Sequence, residues 1–487
     1  MMLQTIPSPG SAGDNFILRL QAHPICKKIN AFFLSPYYFL LIGAMTVAAS
    51  VFSAELLIYT CFILIGLYLS FCGKDYLPLI PLVVCSYIAP SVGNNPGRNE
   101  NSIFFAANGG IYLLCLAGLF VLSLILRLCL DPQIGRKAFF TCKRKLLPGM
   151  LFLGAGYMLS GAFSGHYFGQ GINGPLFAFI QFVAVFLLYF LLTGAVDWKD
   201  VPKGYLAWTG LCIGFVVVCQ LMYIYAAHDV IVNGEIQRGR IYSGWGTYNN
   251  MGALLTMMIP FAFQLACIRK RGLIYHLCAL IFLFGVILTC SRGSILVAVV
   301  IYILSYSIVI YKDMHTKSSI LVHVITAIII AGLLLLFHKE LYRLFHVLID
   351  RGLDPSNRFE IYAEGIKQFL QHPVFGGTFY ATDYTPYDFS DIAAFSSFFP
   401  PRWHNTIVQL LASCGIVGLA AYVYHRFETL LLFAKKPTLG KGLIALSILA
   451  LLGTSMLDCH FFNVGPTLFY SMALAFAEKV DIRQDNW

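Results

Sequence analysis

Long apolar segments limit what this chain can fold into more than any other feature. Residues 175–194 and 318–337, among others, reach the roughly 20 predominantly apolar residues that cross a bilayer as a helix. Charged residues make up only 11% of the 487 residues, whereas hydrophobic residues make up 58%. A soluble domain carries about 25% charged residues. We therefore predict an all-α, polytopic membrane protein.

Fourteen segments are candidate membrane spans. Two of them are short: 76–92, which contains three prolines, and 466–480. The others are 34–52, 55–72, 103–127, 147–164, 174–194, 204–226, 248–268, 273–290, 294–311, 318–337, 405–425 and 439–457. The pattern predicts 12 to 14 transmembrane helices.

Lysine and arginine concentrate in alternate connections between these spans. Because basic residues mark the cytoplasmic side, these connections and both termini are predicted to be cytoplasmic. The residues are Lys27, Lys28, Lys74, Arg127, Arg136, Lys137, Lys143, Arg144, Lys145, Lys199, Lys203, Arg269, Lys270, Arg271, Lys312, Lys317, Arg426, Lys435, Lys436 and Lys441. The net charge of +10 therefore reports topology, and no nucleic-acid partner is expected.

The chain divides into four parts by these criteria. They are a cytoplasmic N-terminal segment 1–30, an N-terminal transmembrane bundle 31–226, a region 227–425 that includes a large outer loop 338–404, and C-terminal spans with a cytoplasmic tail 426–487. The large loop lies between the fourth-last and third-last spans, and its stretch "PSNRFEIYAEGIKQFLQHP" predicts an amphipathic helix on the outer membrane face. Residues 1–30 lack the pattern of a cleaved signal peptide. The fourteen cysteines lie mostly in apolar segments without a Cys-x-x-Cys pair, so they predict packing residues and no metal site.

Arginines gather at predicted outer span ends, where positive charge should be scarce. They are Arg238, Arg240, Arg292, Arg358 and Arg402. Each could extend toward lipid headgroups, or the set could bind a phosphate or diphosphate bidentately. Arg292 favours the second interpretation, because "TCSRGSILV" is a tight turn between apolar segments, where an unpaired charge is costly.

Two histidines stand at predicted outer span ends. His404 follows Arg402 and Trp403 and opens the span in "RWHNTIVQLL". It is either a helix-end histidine that hydrogen-bonds at the interface or a general base that works near neutral pH. His460 stands near Asp458 in "LDCHFFNVG", as a supporting pair or as a simple turn.

Four motifs carry a family resemblance. "GRIYSGWGTYNNMGALLTMMIP", "SRGSILV", "NRFEIYAEGIKQFLQHPVFGGTF" and "WHNTIVQLLASCGIVGL" follow one another over residues 238–425. In this order the region resembles the O-antigen ligase and polymerase superfamily of bacterial surface polysaccharide assembly. The chain departs from the family pattern in having "FGG" where Gly-x-Gly is usual and "YNN" where Pro-Asn is usual.

The resemblance implies a GT-C-like glycosyltransferase of the bacterial cytoplasmic membrane that needs no metal or other cofactor. Its donor would be a polyprenyl (undecaprenyl) diphosphate-linked glycan, and its acceptor a glycan or lipid hydroxyl on the outer face. His404 would act as the base, and Arg292 would take part in catalysis. The diphosphate would be bound by Arg238, Arg240, Arg292, Arg358 and Arg402, whereas Trp403, Asp458 and His460 would face the acceptor. A polymerase and a ligase differ only in the acceptor. A transporter or flippase of lipid-linked glycans is the alternative.

Overall fold

The computed structural model covers most of the predicted spans. It describes residues 16–90, 107–131, 136–164, 178–268 except 180 and 234, 272–313, 317–336, 338, 342, 358–377, 379, 403–435 and 437–479. Arg402 and most of the predicted outer loop 338–404 lie outside the described residues.

The described part of the first half of the chain is mainly helical. They are α1 (Phe16–Ala22), α2 (Pro24–Phe33), α3 (Pro36–Val51), α4 (Glu55–Phe71), α5 (Leu79–Ile88), α6 (Ala107–Leu130), α7 (Arg136–Thr141), α8 (Leu147–Met158), a π-helical turn (Val183–Leu187) continued by α9 (Leu188–Ala195), and α10 (Tyr205–Ala227).

The second half contains the predicted loop helix between longer spans. Its helices are α11 (Tyr248–Ile268), α12 (Gly272–Leu288), α13 (Arg292–Asp313), α14 (Lys317–Leu336), α15 (Arg358–Gln371), α16 (Thr406–Ala434), α17 (Leu439–Leu457) and α18 (Val464–Lys479). Each of the fourteen predicted spans contains a helix, and α15 is the amphipathic helix expected in the outer loop.

The helices confirm an all-α, multi-pass membrane architecture. Within the described residues, α10, α11, α13, α16 and α17 are long and apolar enough to cross a membrane, and α2 with α3 forms a further candidate bent by 68°. Seven shorter apolar helices accompany them in the same part of the chain.

Helix α11 lies at the centre of the second half. Every residue from Met251 to Ala266 is buried, which matches a helix that is apolar on all sides. It packs against α10, α12, α13 and α17. The helices that surround α11 therefore hold its N-terminal end in place. This end contributes a residue to the candidate active site described below.

Two short hairpins precede α11. The strand β1 (Ile231–Val232) pairs with β2 (Glu235–Ile236), and β3 (Tyr242–Ser243) pairs with β4 (Gly246–Thr247), both antiparallel. Arg238 and Arg240 lie in a 3-10 turn between the hairpins. The segment brings the polypeptide from α10 back to the start of α11.

Two basic residues that were predicted in cytoplasmic connections lie inside helices instead. Arg127 belongs to α6 and is fully buried, where its guanidinium pairs with Asp131 at 2.9 Å and donates to the carbonyls of Leu69, Gly73 and Lys74. Arg426 lies within α16, because the helix continues to Ala434. Both helices continue past these residues because tertiary contacts accommodate the guanidiniums inside the protein: an ion pair and carbonyl hydrogen bonds for Arg127, and aromatic rings for Arg426.

We expect Arg127→Ala to lower the free energy of unfolding by about 3 kcal/mol, because it takes the cation from a buried ion pair. It also removes donors from three carbonyls of the α4 end. Denaturant unfolding in detergent micelles measures the change. Lys143→Ala, at an exposed residue, is the control. Equal stability of the two variants would show that Arg127 is not a structural anchor.

Candidate active site

The start of α16 is fixed by one asparagine. The Asn405 side chain accepts hydrogen bonds from the backbone N–H of Ile407 at 2.8 Å and of Val408 at 3.2 Å, which is the usual capping arrangement. Its amide nitrogen also donates to the Met456 carbonyl at 2.9 Å. Asn405 thus joins the beginning of α16 to the end of α17.

His404 directly precedes this cap and turns toward α17. Its Nδ1 lies 3.1 Å from Oδ1 of Asp458. The imidazole is 38% exposed, whereas the Asp458 side chain is 14% exposed. His404 adopts a left-handed backbone conformation, with φ of 49°, and its carbonyl accepts from the Tyr362 hydroxyl at 3.3 Å. A partly exposed imidazole therefore contacts a largely buried carboxylate.

Asp458 receives hydrogen bonds from two further elements. The Asn249 amide nitrogen, in the first turn of α11, donates to Oδ2 at 2.8 Å, and the Cys459 N–H donates to Oδ1 at 2.7 Å. Burial favours the protonated acid, but the bond and charge of His404, the charge of His460 and the Cys459 N–H outweigh it, so the pKa of the Asp458 carboxyl lies well below its ordinary value. The carboxylate is therefore ionised and oriented.

Helix ends that carry arginines meet beside this carboxylate. Arg358, the first residue of α15, donates from Nη1 to the Leu457 carbonyl at 2.7 Å. Arg292 is the first residue of α13, and the following Gly293 lies so close to α17 that an added Cβ would stand 2.9 Å from the Cβ of Leu457. The structure thus brings the Arg292 and Arg358 helix starts to the end of α17.

The other predicted arginines differ in position. The Arg238 guanidinium carbon lies 5.3 Å from the ring centroid of Tyr248, which begins α11 next to Asn249. Arg240 donates to the Asp229 carbonyl at 3.0 Å and is exposed. Arg402 cannot be placed, because it lies outside the described residues. Arg238 is therefore connected to the site through α11, whereas Arg240 is engaged in its own loop.

Trp403 and His460 are buried beside the pair. Trp403 is 8% exposed and packs against Ile361 and Val408, while its backbone N–H donates to Oε1 of Gln409 at 3.0 Å. His460 is 2% exposed, and its Nδ1 lies 3.2 Å from Oδ1 of Asn250. These contacts assign both residues a supporting position at the site.

A break in α16 sets the direction of the helix that begins at Asn405. At Gly415 the backbone has φ of 63° and ψ of −160°, a conformation that a residue with Cβ rarely adopts. The freed groups are bound by the segment after α15: Ile416 N–H donates to the Pro373 carbonyl at 2.9 Å, and Gly377 N–H donates to the Ala412 carbonyl at 2.8 Å. The motif "HPVFGG" therefore stabilises this break by hydrogen bonding to the backbone on both sides of it.

Sequence reasoning singled out His404, Asp458 and the arginines as candidates, but it did not single out Asn249 and Asn405, which lie beside them in the structure. The signal for Asn249 was present in "YNN", which departs from the family pattern at the start of α11. Asn405 follows His404 and precedes an apolar run, the usual position of a helix cap. Within the described ranges, no three His, Cys, Asp or Glu side chains converge in a way that could hold a metal ion.

The fold and the site define a class: a multi-pass, all-α membrane protein with a histidine, an acid and arginines at converging helix ends. The family model described as O-antigen ligase matches residues 277–423, which confirms the predicted resemblance to the O-antigen ligase and polymerase superfamily. This match supports a membrane enzyme of O-antigen or surface polysaccharide assembly. The matched region contains Arg292, Arg358 and His404. No curated protein matches the chain.

The ionised Asp458 predicts a pH-dependent contribution to stability. Because its pKa is lower in the folded than in the unfolded protein, the contribution is present above the unfolded value of about 3.9 and is lost as the pH falls toward the folded value. The difference in Tm between wild type and Asp458→Asn should shrink below about pH 4. Thermal unfolding in detergent measures it, with Glu364→Gln on the exposed side of α15 as the control. A difference that widens below that pH would contradict the assignment.

Asn249→Ala should lower the free energy of unfolding by about 1.5 kcal/mol, because it removes a hydrogen bond to a charged group. The loss should be much smaller in the Asp458→Ala background, where the acceptor is already gone. Unfolding of the four proteins of this double-mutant cycle measures the coupling. Additive effects would mean that Asn249 stabilises α11 without acting on Asp458.

Proposed function

We propose that this protein transfers a polyprenyl diphosphate-linked glycan to an acceptor hydroxyl on the outer face of the cytoplasmic membrane. The observation that carries the proposal is the His404–Asp458 contact of 3.1 Å at the meeting point of helices α11, α13, α15, α16 and α17. The match of residues 277–423 to the O-antigen ligase family supports the same reaction class.

His404 is the proposed general base. Its Nδ1 faces Asp458, so Nε2 is left for the acceptor hydroxyl if Nδ1 carries the proton. The fixed carboxylate orients the ring and stabilises the imidazolium that forms when the acceptor loses its proton. The acceptor oxygen then bonds to the anomeric carbon as the bond to the diphosphate oxygen breaks, and the polyprenyl diphosphate leaves.

The arginines are proposed to stabilise the charge that develops on the leaving diphosphate. Guanidiniums suit this task because they stay charged and bind phosphate oxygens bidentately. Arg292 and Arg358 are the strongest candidates, since each is the first residue of a helix whose start lies beside Leu457. Arg238, Arg240 and Arg402 are proposed to take part in binding the diphosphate, and Trp403 and His460 to shape the acceptor side. The reaction as proposed needs no metal ion.

The position of the site suits a substrate that is part lipid and part sugar. The alternation of basic connections supports a position of the starts of α11, α13 and α16 and of the end of α17 on the outer side. Helix α15 presents Phe359 and Leu370 outward, 71% and 70% exposed, beside its polar residues, as expected of a helix at a membrane surface. A lipid-borne diphosphate and a water-soluble acceptor meet at this depth.

The direct test gives purified protein in nanodiscs a polyprenyl diphosphate-linked oligosaccharide as the sole glycan and analyses the products by mass spectrometry. Elongated lipid-linked glycans with released polyprenyl diphosphate are the expected products of a polymerase. A second reaction with an added lipid or glycan acceptor detects a ligase. If neither reaction yields a product while the protein moves the donor across vesicle membranes, the protein is a transporter.

His404→Asn should reduce transfer by about 10²- to 10⁴-fold, the range for loss of a general base. Asparagine tolerates the left-handed backbone at this position, so the variant should be produced and folded normally. His404→Ala should abolish transfer in the same way. Initial rates with the donor above measure the effect, and Lys367→Ala on the exposed side of α15 is the matched control. Near-normal rates in both His404 variants would remove this residue from the mechanism.

A further inference from the structure

A second polar cluster lies below the candidate active site, within the membrane-spanning part of the protein. Its centre is Arg426, which lies in α16 between the break at Gly415 and the helix end at Ala434. The guanidinium carbon is 4.3, 4.6 and 4.9 Å from the ring centroids of Phe461, Tyr422 and Tyr470, respectively. Three aromatic rings therefore surround a cation away from both ends of the helix.

One edge of this guanidinium has no partner. Nη1 donates to the Tyr470 hydroxyl at 2.8 Å, but Nε and Nη2 are shielded from the surface and have no hydrogen-bond acceptor among the described residues. Part of the residue reaches the protein surface, but these two atoms do not. Because Nε–H and an Nη2–H point in parallel from one side of the planar group, they form the fork that binds an anion at two points.

Neighbouring polar groups are unsatisfied as well. The Tyr157 hydroxyl and Nδ1 of His425 are buried without a partner among the described residues, and the charge of Arg426 acts on Tyr157. His425 uses its other nitrogen at 2.7 Å from the Tyr470 hydroxyl. Polar groups without a partner among the described residues therefore lie on α8 and α16 within electrostatic reach of this cation, and such groups normally contact a bound species.

The charge itself also needs compensation. In the described part of the chain no carboxylate pairs with Arg426, and the nearby Glu428 accepts the Gly149 N–H at 2.8 Å instead. Ring faces compensate a cation only in part, whereas a charge inside a membrane protein normally has a counter-ion. Water would satisfy the N–H groups but leave the positive charge unbalanced.

We propose that Arg426 binds a small monovalent anion, such as a halide, on its Nε–Nη2 edge. This edge is the part of the guanidinium that has no hydrogen-bond acceptor among the described residues, and the Tyr157 hydroxyl is proposed as a further donor. The anion would hold α8, α16 and α18 together beneath the Asp458–Asn463 connection, because Phe461 of that connection is one of the three rings. This site is separate from the proposed transfer reaction.

The test is thermal unfolding of purified protein in detergent, titrated with sodium chloride or sodium bromide against sodium gluconate at constant ionic strength. We expect a saturable rise of Tm of about 3 °C in wild type, because an anion that binds only the folded state stabilises it. Arg426→Lys keeps a charge but lacks the fork, so the rise should be lost. Lys143→Met, at an exposed residue, should retain it.

Tyr157→Phe keeps the ring and removes the hydroxyl, so it serves as a second variant if Arg426→Lys does not fold. The half-saturating halide concentration should increase about fivefold to tenfold, as expected for one lost hydrogen bond to a charged species. A halide-independent Tm in wild type would overturn the proposal. The same titration curve in wild type and in either variant would also overturn it. None of these outcomes depends on whether the protein transfers glycans.

Discussion

The carboxylate of Asp458 is the constraint on which the arrangement of the site depends. A shielded carboxylate is costly unless it is hydrogen-bonded and paired. Here its donors come from His404 before α16, Asn249 at the start of α11 and the Cys459 backbone. Satisfying this one group therefore requires the ends of three helices to meet, and that meeting forms the place at which we propose that a lipid-linked substrate and the imidazole of His404 come together.

The break in α16 extends the same argument to the backbone. A straight helix through Gly415 would leave the segment after α15 without its carbonyl and N–H partners on α16. The break provides these partners. It also allows the short helical segment between Asn405 and Gly415 to take a different direction from the longer segment that follows. The left-handed backbone at His404 and the hydrogen bond from Ile416 to the Pro373 carbonyl thus both help to position the imidazole beside Asp458.

The sequence predicted the helices well, because hydropathy and capping act locally. The span predicted at 439–457 has the same bounds as α17, and the helix predicted in "PSNRFEIYAEGIKQFLQHP" is α15. The helix that contains the span predicted at 405–425 continues past residue 425 to Ala434. A charged residue ends a span in a hydropathy analysis, but the rings of Tyr422, Phe461 and Tyr470 accommodate Arg426 inside the protein.

The sequence by itself determined the class of the protein, because a chain with 11% charged residues and many long apolar segments must fold in a bilayer. Its motifs also named His404, Arg292 and Arg358 as candidates. Only the tertiary structure decided that Asp458 contacts His404 across 54 residues and Asn249 across 209 residues. Hydrogen bonds between such distant residues exist only after helix packing has brought their ends together, and no local pattern encodes that packing.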